Sequence, residues 1–262
     1  MFVARVATQD GKVAYGVVHG LDARGIPTPE TVVDILTSHP FGELESTGVV
    51  LPLAAVRVLA PVLPSKVVCI GKNYADHAKE MGGAVPVEPV IFIKPNTAVI
   101  GPNDPISMPW QSERVDHEAE LGIVMGRTAR NVRRDHAAEY ILGYTIGNDV
   151  TARDLQQRDG QWTRAKGFDS FCPLGPWIVN DFDPQDQAIV CTVDGEVRQS
   201  STLDHMEHDV YEIIEFVSGV MTLLPGDVIL TGTPAGIGPL KDGQFVTVTI
   251  DGLGALTNPV RA

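Results

Sequence analysis

Cysteine is scarce in this chain, with three in 262 residues. Cys69, Cys172 and Cys191 lie far apart without CxxC spacing, which argues against a disulfide framework or a zinc ribbon. Buried, reduced thiols are expected instead. Basic charge is also lacking, because 20 Lys and Arg face 33 Asp and Glu, a formal net charge of −13. Nucleic acid and anionic membrane surfaces need clustered Lys and Arg, so neither is an expected partner. An anionic substrate stays open, since a bound metal ion can invert the local field. Apolar runs such as VVLPLAAV at 49–56 fall far short of the ~20 residues of a membrane span. No charged stretch followed by an apolar stretch opens the chain, so no signal peptide is expected and a cytoplasmic location is.

What is present suits a folded protein with a sizeable core, for hydrophobic residues make up 44% and charged residues 20%. Residues 1–60 read as a small β-rich N-terminal domain, with Asp10-Gly11 as a hairpin turn between FVARVAT and KVAYGVVHG. LAPVLPSK at 59–66 reads as a linker, and 61–262 as the main domain. There KVVCIG at 66–71 is a short strand, and NYADHAKEM at 73–81 is helical with a Gly82-Gly83 stop. Asp194-Gly195, Asp242-Gly243 and Asp251-Gly252 lie between β-branched runs and predict tight turns between strands. The spacing of Val210, Ile213, Ile214, Val217, Val220, Met221 and Leu224 predicts one amphipathic helix over 209–224. Regular β-α alternation is missing, so the expected fold class is α+β, mainly β, with mostly antiparallel pairing.

The chemistry centres on RVDHEAELGIVMG at 114–126. If 115–125 is a strand, alternation puts Asp116, Glu118, Glu120, Gly122 and Val124 on one face. The other face, with Leu121, Ile123 and Met125, is apolar. Two carboxylates so placed repel unless a cation lies between them, and a hard divalent ion, Mg²⁺ or Mn²⁺, takes oxygen ligands. Asp149, at the far end of a second strand-like run from Leu142 to Val150, is the candidate third ligand. A short helix, RNVRRDHAAEY, between them would let the two strands lie side by side. Spacing alone fits equally a pair of exposed acids held by Arg114 or Arg153. His77 and Glu80 share a helix face, where a carboxylate can hold an imidazole's tautomer and raise its basicity. By itself this pattern also fits a surface pair. TGTPAGIGP at 231–239 follows an apolar strand but lacks the Gly-Lys-Ser/Thr of a P-loop, and no helix pattern follows. A nucleotide site is therefore rejected.

Five segments occur in order: GKNYADHAKEM, DHEAELGIVMG, GNDVTARDLQ, KGFDSFCPLGPW and GDVILTGTPAGIGP. Together the chain resembles the fumarylacetoacetate hydrolase family over about 66–262. The resemblance implies a mixed β-roll with a small variable N-terminal region, usually dimeric, so a homodimer is expected. It implies that Glu118, Glu120 and Asp149 bind Mg²⁺ or Mn²⁺, and all three positions match. It implies that His77 and Glu80 activate water under a lid that the glycines at 82–83 let move, and that Lys166 steadies an enolate or a substrate carboxylate. Gln156 and Thr233 would then contact substrate, Arg153 would support a ligand, and Lys94 would lie near the metal shell. Tyr74 and Asp76 are weaker candidates that fit a structural role equally. The implied reaction is C–C bond hydrolysis of a 2,4-dioxo acid of the acylpyruvate or fumarylpyruvate type. Oxaloacetate decarboxylation and isomerisation of 2-hydroxyhepta-2,4-diene-1,7-dioate in aromatic catabolism stand close behind, because all three share an enolate. From another class, a non-catalytic metal- or ligand-binding β module is disfavoured because the metal triad, His77, Glu80 and Lys166 are all retained.

Overall fold

The computed structural model describes residues 1–262. Its fold is α+β, mainly β. Asp10-Gly11 turns the chain between antiparallel strands Phe2–Ala7 and Val13–Leu21, with Gly11 at φ 80°, a conformation that favours glycine. The longest sheet path runs in the order Ser46–Pro52, Pro27–Leu36, Val13–Leu21, Phe2–Ala7, Cys172–Val179, Ile141–Asn148, Ala119–Met125, Val228–Leu230, Val67–Gly71 and Val90–Lys94. The N-terminal strands therefore extend the sheet that carries the central strands, through Phe2 against Val179. A five-stranded sheet runs Glu196–Thr202, Ala188–Val193, Phe245–Ile250, Gly254–Arg261 and Ile106–Ser107. Pairing is mostly antiparallel, and Val228–Leu230 beside Val67–Gly71 is one of the parallel exceptions.

Both faces of the central strand Ala119–Met125 are buried. Leu121, Ile123 and Met125 join Cys191, Val248 and Leu256 of the second sheet in one apolar cluster. Val124 joins Cys69, Cys172, Leu174 and Leu230 on the opposite side. The three cysteines are free and buried. Burial raises the Cys172 and Cys191 thiols to about 12, which makes them poor nucleophiles.

Four α-helices interrupt the sheets: α1 Ala75–Glu80, α2 Arg153–Asp159, α3 Thr163–Lys166 and α4 Val210–Val220. None is long and apolar enough to cross a membrane. Asp209 caps α4 by accepting from the backbone N–H groups of Tyr211 and Glu212. The helix ends four residues before the expected Leu224, and Val220 and Leu224 are exposed rather than core. The cause lies outside the helix: Asn131 donates to the Ser218 carbonyl, and Leu223 pairs with Ala129 as an antiparallel bridge. Arg134–Tyr140, expected as a short helix, is 3₁₀. Asp194-Gly195 and Asp251-Gly252 close hairpins as expected. Asp242-Gly243 does not, because Gly238–Pro239 pairs with Val115–His117 instead of Phe245–Ile250.

Ser65 and Lys66, in the stretch expected as a linker, are anchored by one buried carboxylate. Asp227 Oδ1 accepts from Ser65 N, Ser65 Oγ and Lys66 N, and Oδ2 accepts from Leu224 N and Lys66 Nζ. This seats Val67–Gly71 beside Val228–Leu230, the edge from which α1 departs. Asp227→Ala should therefore lower unfolding free energy in urea by about 2–4 kcal/mol, because several donors lose their acceptor inside the fold. A loss below about 0.5 kcal/mol would contradict this anchoring role.

Candidate active site

The expected continuous strand 115–125 is broken at Glu118. Val115–His117 leaves the large sheet to pair with Thr151–Ala152 and Gly238–Pro239, and Ala119–Met125 pairs with Ile141–Asn148. Across the break the Asn148 side-chain oxygen accepts from Glu118 N, and Asp149 N donates to the Glu118 carbonyl. A side chain thus replaces one rung of the ladder, and the ends of two strands converge. The converging ends bring one carboxylate oxygen each of Glu118, Glu120 and Asp149 within 4.8 Å of one another. All three residues are buried.

Cations pack around two of these acids. Lys166 Nζ donates to Glu118 Oε2 at 2.8 Å and to Asp149 Oδ2 at 2.5 Å. Lys94 Nζ, fully buried, donates to Asp149 Oδ1 at 2.5 Å and to the Val150 carbonyl at 3.1 Å. Arg153 binds Glu118 through Nη2 and Asp116 through Nε, the latter at 2.9 Å. Arg114, by contrast, meets only Asp116. Burial alone would raise the Glu118 carboxyl, but Lys166 and Arg153 outweigh it and hold the group below the usual range. Glu120 is different, because its carboxylate accepts only from Gly232 N, at 2.8 Å. Burial and the charges of Asp149 and Glu118 push its carboxyl well above the usual range. An all-oxygen donor set in which one acid has no matching cation fits a hard divalent ion, whose charge would favour ionised Glu120.

The triad forms one wall of a cavity of about 180 Å³. His77, Arg153, Gln156, Lys166 and Thr233 also line it. Above it lies α1, where His77 Nδ1 is 3.1 Å from Glu80 Oε2. Glu80 lies behind His77 and accepts from Gly236 N at 3.2 Å, so the glycine-rich loop 231–239 holds the carboxylate that faces His77. Arg153 Nη1 donates to Gln156 Oε1 at 2.6 Å, which leaves the Gln156 amide N–H groups free to donate. Burial would lower the Lys166 ammonium, but Asp149 and Glu118 reverse that, and it stays charged. Its Nζ also lies 5.0 Å from the Phe92 ring centre.

Two expected residues, Tyr74 and Asp76, do not line this cavity. Tyr74 is the last extended residue before α1 and pairs with Met206, so with Asp76 it borders a separate groove beside Asp204 and His205. The Tyr74 hydroxyl is buried without a partner. Gln199 escapes sequence reasoning, although it sets the polarity of Thr233. Its Oε1 accepts from Ala119 N and faces His117 Nδ1, and its Nε2 donates to the Pro234 carbonyl and to Thr233 Oγ1. The two backbone partners fix which end of the amide is which. Thr233 Oγ1 is therefore an acceptor toward Gln199, and its own O–H is free to donate into the cavity.

Comparison with known proteins bears on the family and the fold. Residues 66–261 match the family described as Fumarylacetoacetate (FAA) hydrolase C-terminal, and residues 1–61 match one described as Rv2993c-like, N-terminal. The chain is similar to the crystal structure of 5-carboxymethyl-2-hydroxymuconate delta-isomerase from Mycobacterium smegmatis, at 53% identity and TM-score 0.92, covering 100% of this chain and 99% of that one. It is similar to oxaloacetate tautomerase FAHD2A, mitochondrial, of Bos taurus, at 46% identity over 80% of this chain and 71% of the relative. It is also similar to fumarylpyruvate hydrolase from Pseudomonas aeruginosa in complex with Mn²⁺ and pyruvate, at 36% identity and TM-score 0.72, covering 78% of this chain and 91% of that one.

Glu120→Gln tests the carboxylate balance with the ion pairs left intact. Without metal, its Tm should equal or exceed that of the unsubstituted chain, because a neutral amide spares the fold the cost of keeping an ionisable carboxyl buried beside two other acids. Mg²⁺ at about one hundred times its Kd should stabilise the unsubstituted chain by about 2.7 kcal/mol and leave Glu120→Gln unmoved. A metal ion needs ionised Glu120, whose carboxyl is pushed well up by burial and by Asp149 and Glu118, so binding should release a proton and tighten as pH rises. Calorimetry in buffers of different ionisation enthalpy measures that release, and equal shifts in both proteins would contradict the assignment.

Proposed function

The chain belongs to the fumarylacetoacetate hydrolase family, and we propose that it hydrolyses the C3–C4 bond of acylpyruvates of the fumarylpyruvate type. The observation that supports this reading is the His77–Glu80 pair, 3.1 Å apart, in a helix roofing a cavity walled by three buried carboxylates. A Mg²⁺ or Mn²⁺ ion held by Glu118, Glu120 and Asp149 would supply Lewis acidity toward a 2-oxo acid. Glu80 accepts the Nδ1–H of His77 and fixes the tautomer with Nε2 as the base. His77 takes a proton from water, whose oxygen adds to the 4-carbonyl carbon. The C3–C4 bond breaks, and its electrons form the enolate of pyruvate. Lys166, kept charged by its two carboxylates, stabilises that negative charge. The proton on His77 returns to C3, and pyruvate and a carboxylic acid leave. Thr233 and Gln156 donate hydrogen bonds that orient the substrate, and Arg153 holds Glu118 in place. Packing of α1 over the cavity limits bulk water.

A second reading is proton transfer at C3 without hydrolysis, giving ketonisation of a hydroxydienedioate or tautomerisation of oxaloacetate, with decarboxylation as a further outcome. The names of the Mycobacterium smegmatis and Bos taurus proteins favour it. A substrate panel separates the readings when loss of enol absorbance and pyruvate release are followed together. Hydrolysis predicts pyruvate in step with substrate loss, and His77→Ala should slow it by about 10²–10⁴-fold while sparing oxaloacetate decarboxylation. Enol loss without pyruvate would support the second reading, and unimpaired hydrolysis in His77→Ala would overturn the role given to His77.

A further inference from the structure

The cations near the cavity are not equivalent. Arg153, Lys166 and Lys94 each donate to carboxylates of the site, so their charges are already matched. Lys72 also lines the cavity and is half-buried, yet no carboxylate of the chain forms a salt bridge with it. Its backbone is left-handed, at φ 59°, a conformation unfavourable for a residue with a Cβ. A buried neighbour holds that turn. Asn73 donates to the carbonyls of Thr231 and His208 and accepts from His208 N. A Cβ added at Gly83 would lie 3.6 Å from Lys72 Nζ, so the ammonium stands by the C-terminal end of the helix that carries His77. The fold thus fixes a half-buried, unmatched positive charge at a cavity whose other cations are engaged.

We infer that Lys72 binds a second carboxylate at the far end of the substrate, so the site selects 2-oxo dicarboxylates over 2-oxo monocarboxylates of equal length. This rests on the reading of the cavity as a 2-oxo acid site. An entering dianion places one carboxylate and the 2-oxo group toward the triad. Its second carboxylate then meets the one lining ammonium that no acid of the chain already pairs. Partial burial reduces solvent screening of that contact, and the braced turn limits the conformational freedom lost on binding. Lys72 is thus a specificity-determining residue that takes no part in proton transfer.

Calorimetric titration of the full chain with saturating Mg²⁺ tests this, using 2-oxopentanedioate against 2-oxopentanoate and 2-oxohexanedioate against 2-oxohexanoate. Each pair differs only in the distal carboxylate. At least one dicarboxylate should bind about tenfold or more tightly than its partner, as expected for one well-placed charge contact. Lys72→Met should weaken that dicarboxylate to the level of the monocarboxylate and leave the monocarboxylate unchanged, and Lys72→Arg should keep most of the preference. Equal binding of both members of each pair to the unsubstituted chain, or a preference that survives in Lys72→Met, would overturn the role of Lys72 alone. Binding of Mg²⁺ but of none of the four acids would overturn the 2-oxo acid reading and the anchor with it.

Discussion

Four carboxylates, Asp116, Glu118, Glu120 and Asp149, are buried together at the converging ends of two strands, and much of the local structure follows from what neutralises them. Placing ionised acids in a protein interior is costly unless each has a cation or several donors. Arg153 opens α2, Lys166 closes α3, and Lys94 ends the edge strand Val90–Lys94. Each delivers a positive charge to the same carboxylate cluster. The balance is deliberately short at Glu120, which receives one backbone N–H and no cation. A fully compensated cluster would be a structural ion-pair network. An acid left unmatched among compensated neighbours is a place for a cation from outside.

The same arrangement connects binding to chemistry. Thr231–Thr233 leaves the strand Val228–Leu230 and supplies Gly232 N to Glu120, and a few residues on Gly236 N meets Glu80. One loop therefore touches both the carboxylate wall and the helix that carries His77. Gln199 reaches in from the five-stranded sheet and fixes the direction of the Thr233 hydroxyl. The carboxylates and Thr233 thus stand at strand ends or on a loop pinned by buried hydrogen bonds, and His77 on a helix that the same loop touches, which favours a preorganised site.

The local signals were legible where a short-range rule governs. Alternation across a strand put Glu118 and Glu120 on one face, and the second strand-like run brought Asp149 beside them. The pairing of Ala119–Met125 with Ile141–Asn148 has that register. Turn dipeptides marked the hairpins at Asp194-Gly195 and Asp251-Gly252. What escaped depends on partners distant in sequence. The strand break at Glu118 comes from the side chain of Asn148, and α4 stops early because residues 129–131 capture its end. Gln199 lies 80 residues from Ala119, whose N–H it accepts, and no local pattern marks such a contact. Tyr74 shares the motif of His77, but its backbone is still extended and bridges to Met206, so it borders another groove.

The acid left without a cation at Glu120 fits this cluster to hold a divalent metal ion. Crystals soaked in Mn²⁺ and measured for anomalous scattering test it most directly. The expected result is one strong anomalous peak bounded by oxygens of Glu118, Glu120 and Asp149, at about 2.0–2.3 Å from each, and no such peak in Glu120→Gln crystals. A map in which Mn²⁺ scatters elsewhere, while Lys166 keeps Glu118 and Asp149 bridged and the triad stays metal-free, would contradict it.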